Sequence, residues 1–81
     1  MPAGHTGLKK RSLSVAGHRT SVSLEAPFWD ALGQLATARG LSVQRLVAEI
    51  DRSRGDSNLS SAIRVHVLRS YMPREDAADP P

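Results

Sequence analysis

The segment RSLSVAGHRTSVSLE, residues 11 to 25, constrains the fold more than any other part of the chain, because its apolar residues change parity midway. Leu13 and Val15 occupy odd positions, whereas Val22 and Leu24 occupy even ones. Successive side chains of a strand point to opposite faces, so one unbroken strand would place these pairs on opposite sides of a sheet. The chain must either correct its register between them or offer its two halves to different partners. Gly17 is the residue best able to take a bulge or turn conformation. No two-residue turn signal of the Asn-Gly type is present, so the expectation is a bulged strand extension at Ala16 to His18 in preference to an independent hairpin.

A chain of 81 residues supports one small domain, which buries roughly 60% of its unfolded surface. With no cysteine to form a disulfide or a thiolate metal site, oligomerisation is the remaining common source of extra stability. No apolar run approaches the roughly 18 residues of a membrane span, and the opening MPAGHTGLKKRSLSV lacks the apolar core of a signal peptide. A cytoplasmic protein is expected. Lys9, Lys10, Arg11 and Arg19 fall in a stretch without acids, while the terminal REDAADPP sets Glu75, Asp76 and Asp79 against Arg74. Such a basic segment favours polyanionic partners. The expected layout is a flexible basic arm at 1–9, a folded domain at 10–72 and a disordered acidic tail at 73–81.

Three helices are expected after the strand. In APFWDALGQLATARG, Phe28, Leu32, Leu35 and Ala36 share one face, Pro27 suits the first turn, Asp30 and Arg39 complement the dipole, and Gly40 ends the helix. Ser42 caps the second helix, whose stripe is Val43, Leu46, Val47 and Ile50. Arg45, three residues after the cap, sits near the positive end of the dipole, a poor local choice unless an anion binds there. The third helix begins after SRGDSN with Ser57 or Asn58 as its cap. Leu59, Ala62, Ile63, His66 and Val67 make one apolar stripe, and Val65, Leu68 and Met72 make a second beside it. So much apolar circumference implies a partner subunit on the far side.

The strand-helix-helix stretch RTSVSLEAPFWDALGQLATARGLSVQRLVAEI, residues 19 to 50, with its short alternating strand and its Gly-x-Ser turn at Gly40 and Ser42, resembles the ribbon-helix-helix (Arc/MetJ-like) DNA-binding family. With AGHRTSVSLE upstream and NLSSAIRVHVLRSYM downstream, the chain looks like a short bacterial subfamily carrying an extra C-terminal helix. The resemblance implies a mainly α fold with one short β-strand, which pairs between the subunits of an intertwined homodimer to make a ribbon that enters the major groove. Arg19, Ser21 and Ser23 would then face base edges. Ser42, Val43 and Arg45 would meet phosphate at the second helix start, with Lys9, Lys10 and Arg11 following the backbone. Val22, Leu24, Phe28, Leu46, Ile50, Ile63 and Val67 would form the dimer core. The implied function is sequence-specific binding of double-stranded DNA by a transcriptional regulator, a repressor associated with the nucleoid.

Other chemistries find little support. His5, His18 and His66 have no metal-ligand spacing, DRSRGD lacks the ligands and glycine position of a calcium loop, and no nucleophile-base constellation or phosphate loop is present. No metal, cofactor or enzymatic activity is expected. Trp29 beside Phe28 suits core or dimer packing better than base stacking. The rival reading is an antitoxin-like or adaptor module that keeps the fold and binds a protein partner.

Overall fold

The computed structural model describes residues 7–73, so positions 1–6 of the expected arm and 74–81 of the expected tail lie outside the described residues. The chain runs β1 (Leu8–Val15), β2 (His18–Glu25), α1 (Ala26–Ala38), α2 (Val43–Ser53) and α3 (Leu59–Tyr71). There are two strands in place of the expected one, and they form an antiparallel hairpin within a single chain. Pro73 follows α3 as an exposed residue, and Lys9 belongs to β1.

The hairpin resolves the parity change and overturns the expected bulge at Ala16 to His18. Val15 pairs with His18, Leu13 with Thr20, Arg11 with Val22 and Lys9 with Leu24. Residues opposite one another share a face, so odd positions of β1 and even positions of β2 all point to the same side. Ala16 and Gly17 form the loop, with φ of 52° and 85°. Two successive positive φ values are what a two-residue hairpin turn with the right twist requires. The turn was hidden because alanine fills a position where asparagine, aspartate or glycine is usual.

Leu13, Val15, Val22 and Leu24 from the hairpin meet Trp29, Leu32 and Ala36 of α1, Leu46, Val47 and Ile50 of α2, and Ile63 and Val67 of α3 in one buried cluster. Each large apolar side chain taken from water stabilises the fold by about 1.5–3 kcal/mol. On α1 the buried face is centred on Trp29, with Phe28 and Leu35 partly buried beside it. The expected dimer-core residues Val22, Leu24, Leu46, Ile50, Ile63 and Val67 are thus buried inside one chain, and Phe28 packs against them.

Local signals set the helix ends. At the end of α1, the Gly40 N–H donates to the Thr37 carbonyl at 3.0 Å and the Leu41 N–H to the Ala36 carbonyl at 2.8 Å. Gly40, with φ of 71°, permits this closure. The Ser42 hydroxyl accepts from the Arg45 N–H at 3.1 Å, and Asn58, the one of the two candidate caps that is used, accepts from the Ser61 N–H at 3.2 Å. Asp30 falls beyond the first turn of α1, and Arg39 pairs with Glu49 of α2 at 2.9 Å.

Two titratable groups make this packing sensitive to acid. The Arg64 guanidinium donates to Glu25 Oε1 at 3.0 Å and, as the main cause, holds that carboxyl below its ordinary 4.5. Burial, aided by Arg39 and opposed by Glu49, lowers His66 below its ordinary 6.5. In both cases the unfolded chain binds the proton more readily, so both contributions are complete above the ordinary value and are lost as pH falls through the lowered one.

The turn and the titrations can be tested separately. Ala16→Asn, which tolerates a left-handed conformation better, should stabilise the chain by about 0.5–1 kcal/mol, or roughly 2–8 °C in thermal melts, whereas Gly17→Val should lower stability by more than about 1 kcal/mol. Melting temperature should also decline as pH drops below 6.5, and again below 4.5. His66→Gln should flatten only the first decline.

Candidate nucleic-acid interface

The hairpin register sorts polar residues as cleanly as apolar ones. Arg19, Ser21 and Ser23 project from β2 on the face away from the helices, with Arg19 and Ser21 exposed and Ser23 half-buried. Opposite them on β1 stand Ser14, Ser12 and Lys10, all exposed. The face therefore repeats one cation and two hydroxyls on each strand, at cross-strand Cβ separations of about 4.5–5.5 Å. Ser12 and Ser14 were missed from the sequence because their alternation with Leu13 and Val15 becomes meaningful only once the turn is recognised.

The basic cluster of Lys9, Lys10 and Arg11 is divided by the same alternation. Lys10 joins the Arg19 face, while Lys9 and Arg11 lie on the helical side of the hairpin. The Lys9 carbonyl accepts from Trp29 Nε1 at 2.9 Å, and the Arg11 guanidinium sits 4.7 Å from the centre of the Trp29 ring. A cation over an indole is held by the ring quadrupole. Trp29 thus ties the start of β1 to α1.

Charge is distributed unequally between hairpin and helices. Lys9, Lys10, Arg11 and Arg19 against Glu25 give the hairpin +3, whereas residues 26–73 carry six cations against four acids, and residues 74–81 one cation against three acids. Glu25 is itself bridged to Arg64. Among the described residues, the ion pairs engage Arg39, Arg54 and Arg64 of the helical part, and none engages a hairpin cation. The outer hairpin face, which carries Lys10 and Arg19 of these cations, is a positive surface dressed with hydroxyls.

The start of α2 lies beside this hairpin. The Ser14 N–H donates to Gln44 Oε1 at 2.8 Å, which fastens the outer edge of β1 to the first turn of α2. Ser42 and Arg45 are exposed at that turn, and Val43 is partly buried against the core. A second feature lies at a distance, between α2 and α3, where a groove of about 660 Å³ is lined by Arg54, His66, Arg69 and several serines. Arg54 is committed there to Asp51 and to the Ser57 carbonyl. Val65, Leu68, Tyr71 and Met72 leave an exposed apolar strip along α3.

Among the described residues, no three of His, Asp and Glu gather as a metal-binding group, and no helix is long and apolar enough to cross a membrane. No curated protein matches the chain. Among solved structures, the chain is similar to an uncharacterized protein from Bordetella pertussis Tohama I, with 37% identity over 78% of this chain and 54% of that one, and a TM-score of 0.70. The chain spans about half the length of that protein. Residues 8–71 match the family described as Ribbon-helix-helix domain. The chain, with its hairpin, its glycine-closed first helix and its serine-capped second, belongs to the ribbon-helix-helix domain family, a non-enzymatic family of DNA-binding regulators.

Proposed function

We propose that this protein is a homodimeric regulator of transcription, acting in the cytoplasm as a repressor, that binds double-stranded DNA in a sequence-dependent way through the outer face of its hairpin. The observation that carries the reading is the concentration of unpaired positive charge and hydroxyls on that face. Arginine bonds guanine O6 and N7 bidentately in the major groove, and serine serves either as donor or acceptor. Arg19, Ser21 and Ser23 are the base-reading set. Ser42, the Val43 backbone and Arg45 are the phosphate anchors at the start of α2, where a helix N-terminus favours an anion. Two copies join antiparallel along β2, the strand whose outer edge has no described partner.

A second reading is favoured by the apolar strip of Val65, Leu68, Tyr71 and Met72, which suits a protein partner of the antitoxin or adaptor kind. The two readings separate in solution. If DNA is the partner, duplex affinity falls linearly with salt on logarithmic axes. Arg19→Ala should cost about 1–3 kcal/mol on the preferred site and relax one or two base positions, with an unchanged melting temperature. Arg45→Ala should weaken preferred and random duplexes alike. Sedimentation should give a dimer at micromolar concentration. Absence of duplex binding from a randomised pool, with a dimer intact, would instead support the protein-partner reading.

A further inference from the structure

We infer that β1 is a phosphate-contacting strand, because dimerisation along β2 widens the hairpin into a four-stranded sheet that straddles the major groove instead of entering it. This inference rests on the DNA-binding reading and goes further, in assigning the phosphodiester backbone to Lys10, Ser12 and Ser14 and in narrowing base contact to Arg19.

The direction of the backbone groups decides which edge a second copy can use. In an antiparallel pair, residues alternate between exchanging hydrogen bonds and turning their N–H and C=O groups outward. The Ser14 N–H leaves the hairpin to reach Gln44, so the Ser14–Arg19 pair is of the outward kind. Counting along the ladder, Ser12–Ser21 and Lys10–Ser23 are outward pairs as well. The outer edge of β1 is approached by α2 through Gln44, whereas Arg19, Ser21 and Ser23 offer their groups along the outer edge of β2. A second copy related by a twofold axis satisfies them symmetrically, since one open edge complements itself. The pairing must set odd positions against odd ones, which keeps both copies of Arg19, Ser21 and Ser23 on the same face as Lys10, Ser12 and Ser14.

Dimensions then decide how that face meets DNA. Strands lie about 4.8 Å apart, so the order β1-β2-β2-β1 places the two outer strands roughly 14 Å from each other, axis to axis. The major groove is about 12 Å wide and 8.5 Å deep, and it admits two strands but not four. Resting astride the groove, the sheet centres both β2 strands over its mouth and holds each β1 over a phosphate wall. Lys10 supplies a point charge there, and the Ser12 and Ser14 hydroxyls donate to phosphate oxygens. The start of α2, tied to β1 by Gln44, lies on the same flank. Arg19 is the one member of the β2 set long enough to reach far into the groove.

The chain has no cysteine, which permits a direct test. A Ser21→Cys/Ser23→Cys variant should oxidise to a covalent dimer in the two odd registers that overlap the β2 strands most fully, where 21 faces 21 or 21 faces 23 of the second copy, because residues facing each other across a ladder fall within disulfide range. A Ser12→Cys/Ser14→Cys variant should stay uncrosslinked, and a crosslink there with none at β2 would overturn the sheet. Against a randomised duplex pool, Ser12→Ala/Ser14→Ala should weaken every sequence by a similar factor and leave the preferred bases unchanged, and Lys10→Ala should lower the salt slope by about one. A changed base preference for the serine variant would show that a single hairpin enters the groove, and would overturn the phosphate assignment. Should the wild-type chain bind no duplex, that assignment falls with the DNA-binding reading, while a β2 crosslink would still support the four-stranded sheet.

Discussion

The rest of the molecule depends on a backbone reversal completed in two residues. Ala16 and Gly17, both at positive φ, return the chain so that Val15 faces His18. Because two residues lie in the loop, odd positions before it share a side with even positions after it. That arithmetic gathers four apolar side chains against the helices and delivers the serines, Lys10 and Arg19 to the opposite side. A loop longer by one residue would invert the second strand and send Val22 and Leu24 into water.

Helices were legible because their signals are local. The cap at Ser42, the glycine closure at Gly40 and the stripe of Leu46, Val47 and Ile50 lie within a few residues of one another, and each has a direct energetic reason. The hairpin was legible only in part. Alternation showed that something had to change near Gly17, yet alanine at the neighbouring position concealed the turn, since its left-handed conformation is sustained by pairing along eight residues of strand and not by its own preference. The outward set of β2 was readable from period two alone. Its counterpart on β1 was not, because a side chain's face there depends on a register that only the turn defines.

Electrostatics divide the chain along the same line as the packing. The helical part, residues 26–73, carries six cations against four acids, and three of those cations are held in pairs, Arg39 with Glu49, Arg54 with Asp51 and Arg64 with Glu25. Such pairs near the surface add little stability. They do, however, offset part of the positive field of the helices, so that an approaching polyanion meets the most concentrated positive charge on the hairpin. Glu25, the one acid on that hairpin, is turned into a tie to Arg64 at the junction with the helices, which removes its repulsion from the outer face.

The attachment of β1 to α1 through Trp29 has a practical consequence. The chain contains a single tryptophan, and its indole lies at the seam between hairpin and helices, buried, hydrogen-bonded to the Lys9 carbonyl and covered by Arg11. The single tyrosine, Tyr71, sits far along the sequence on the exposed side of α3. Intrinsic emission from the indole therefore watches one joint of the molecule, the seating of the first strand on the helical body, and does so without a label.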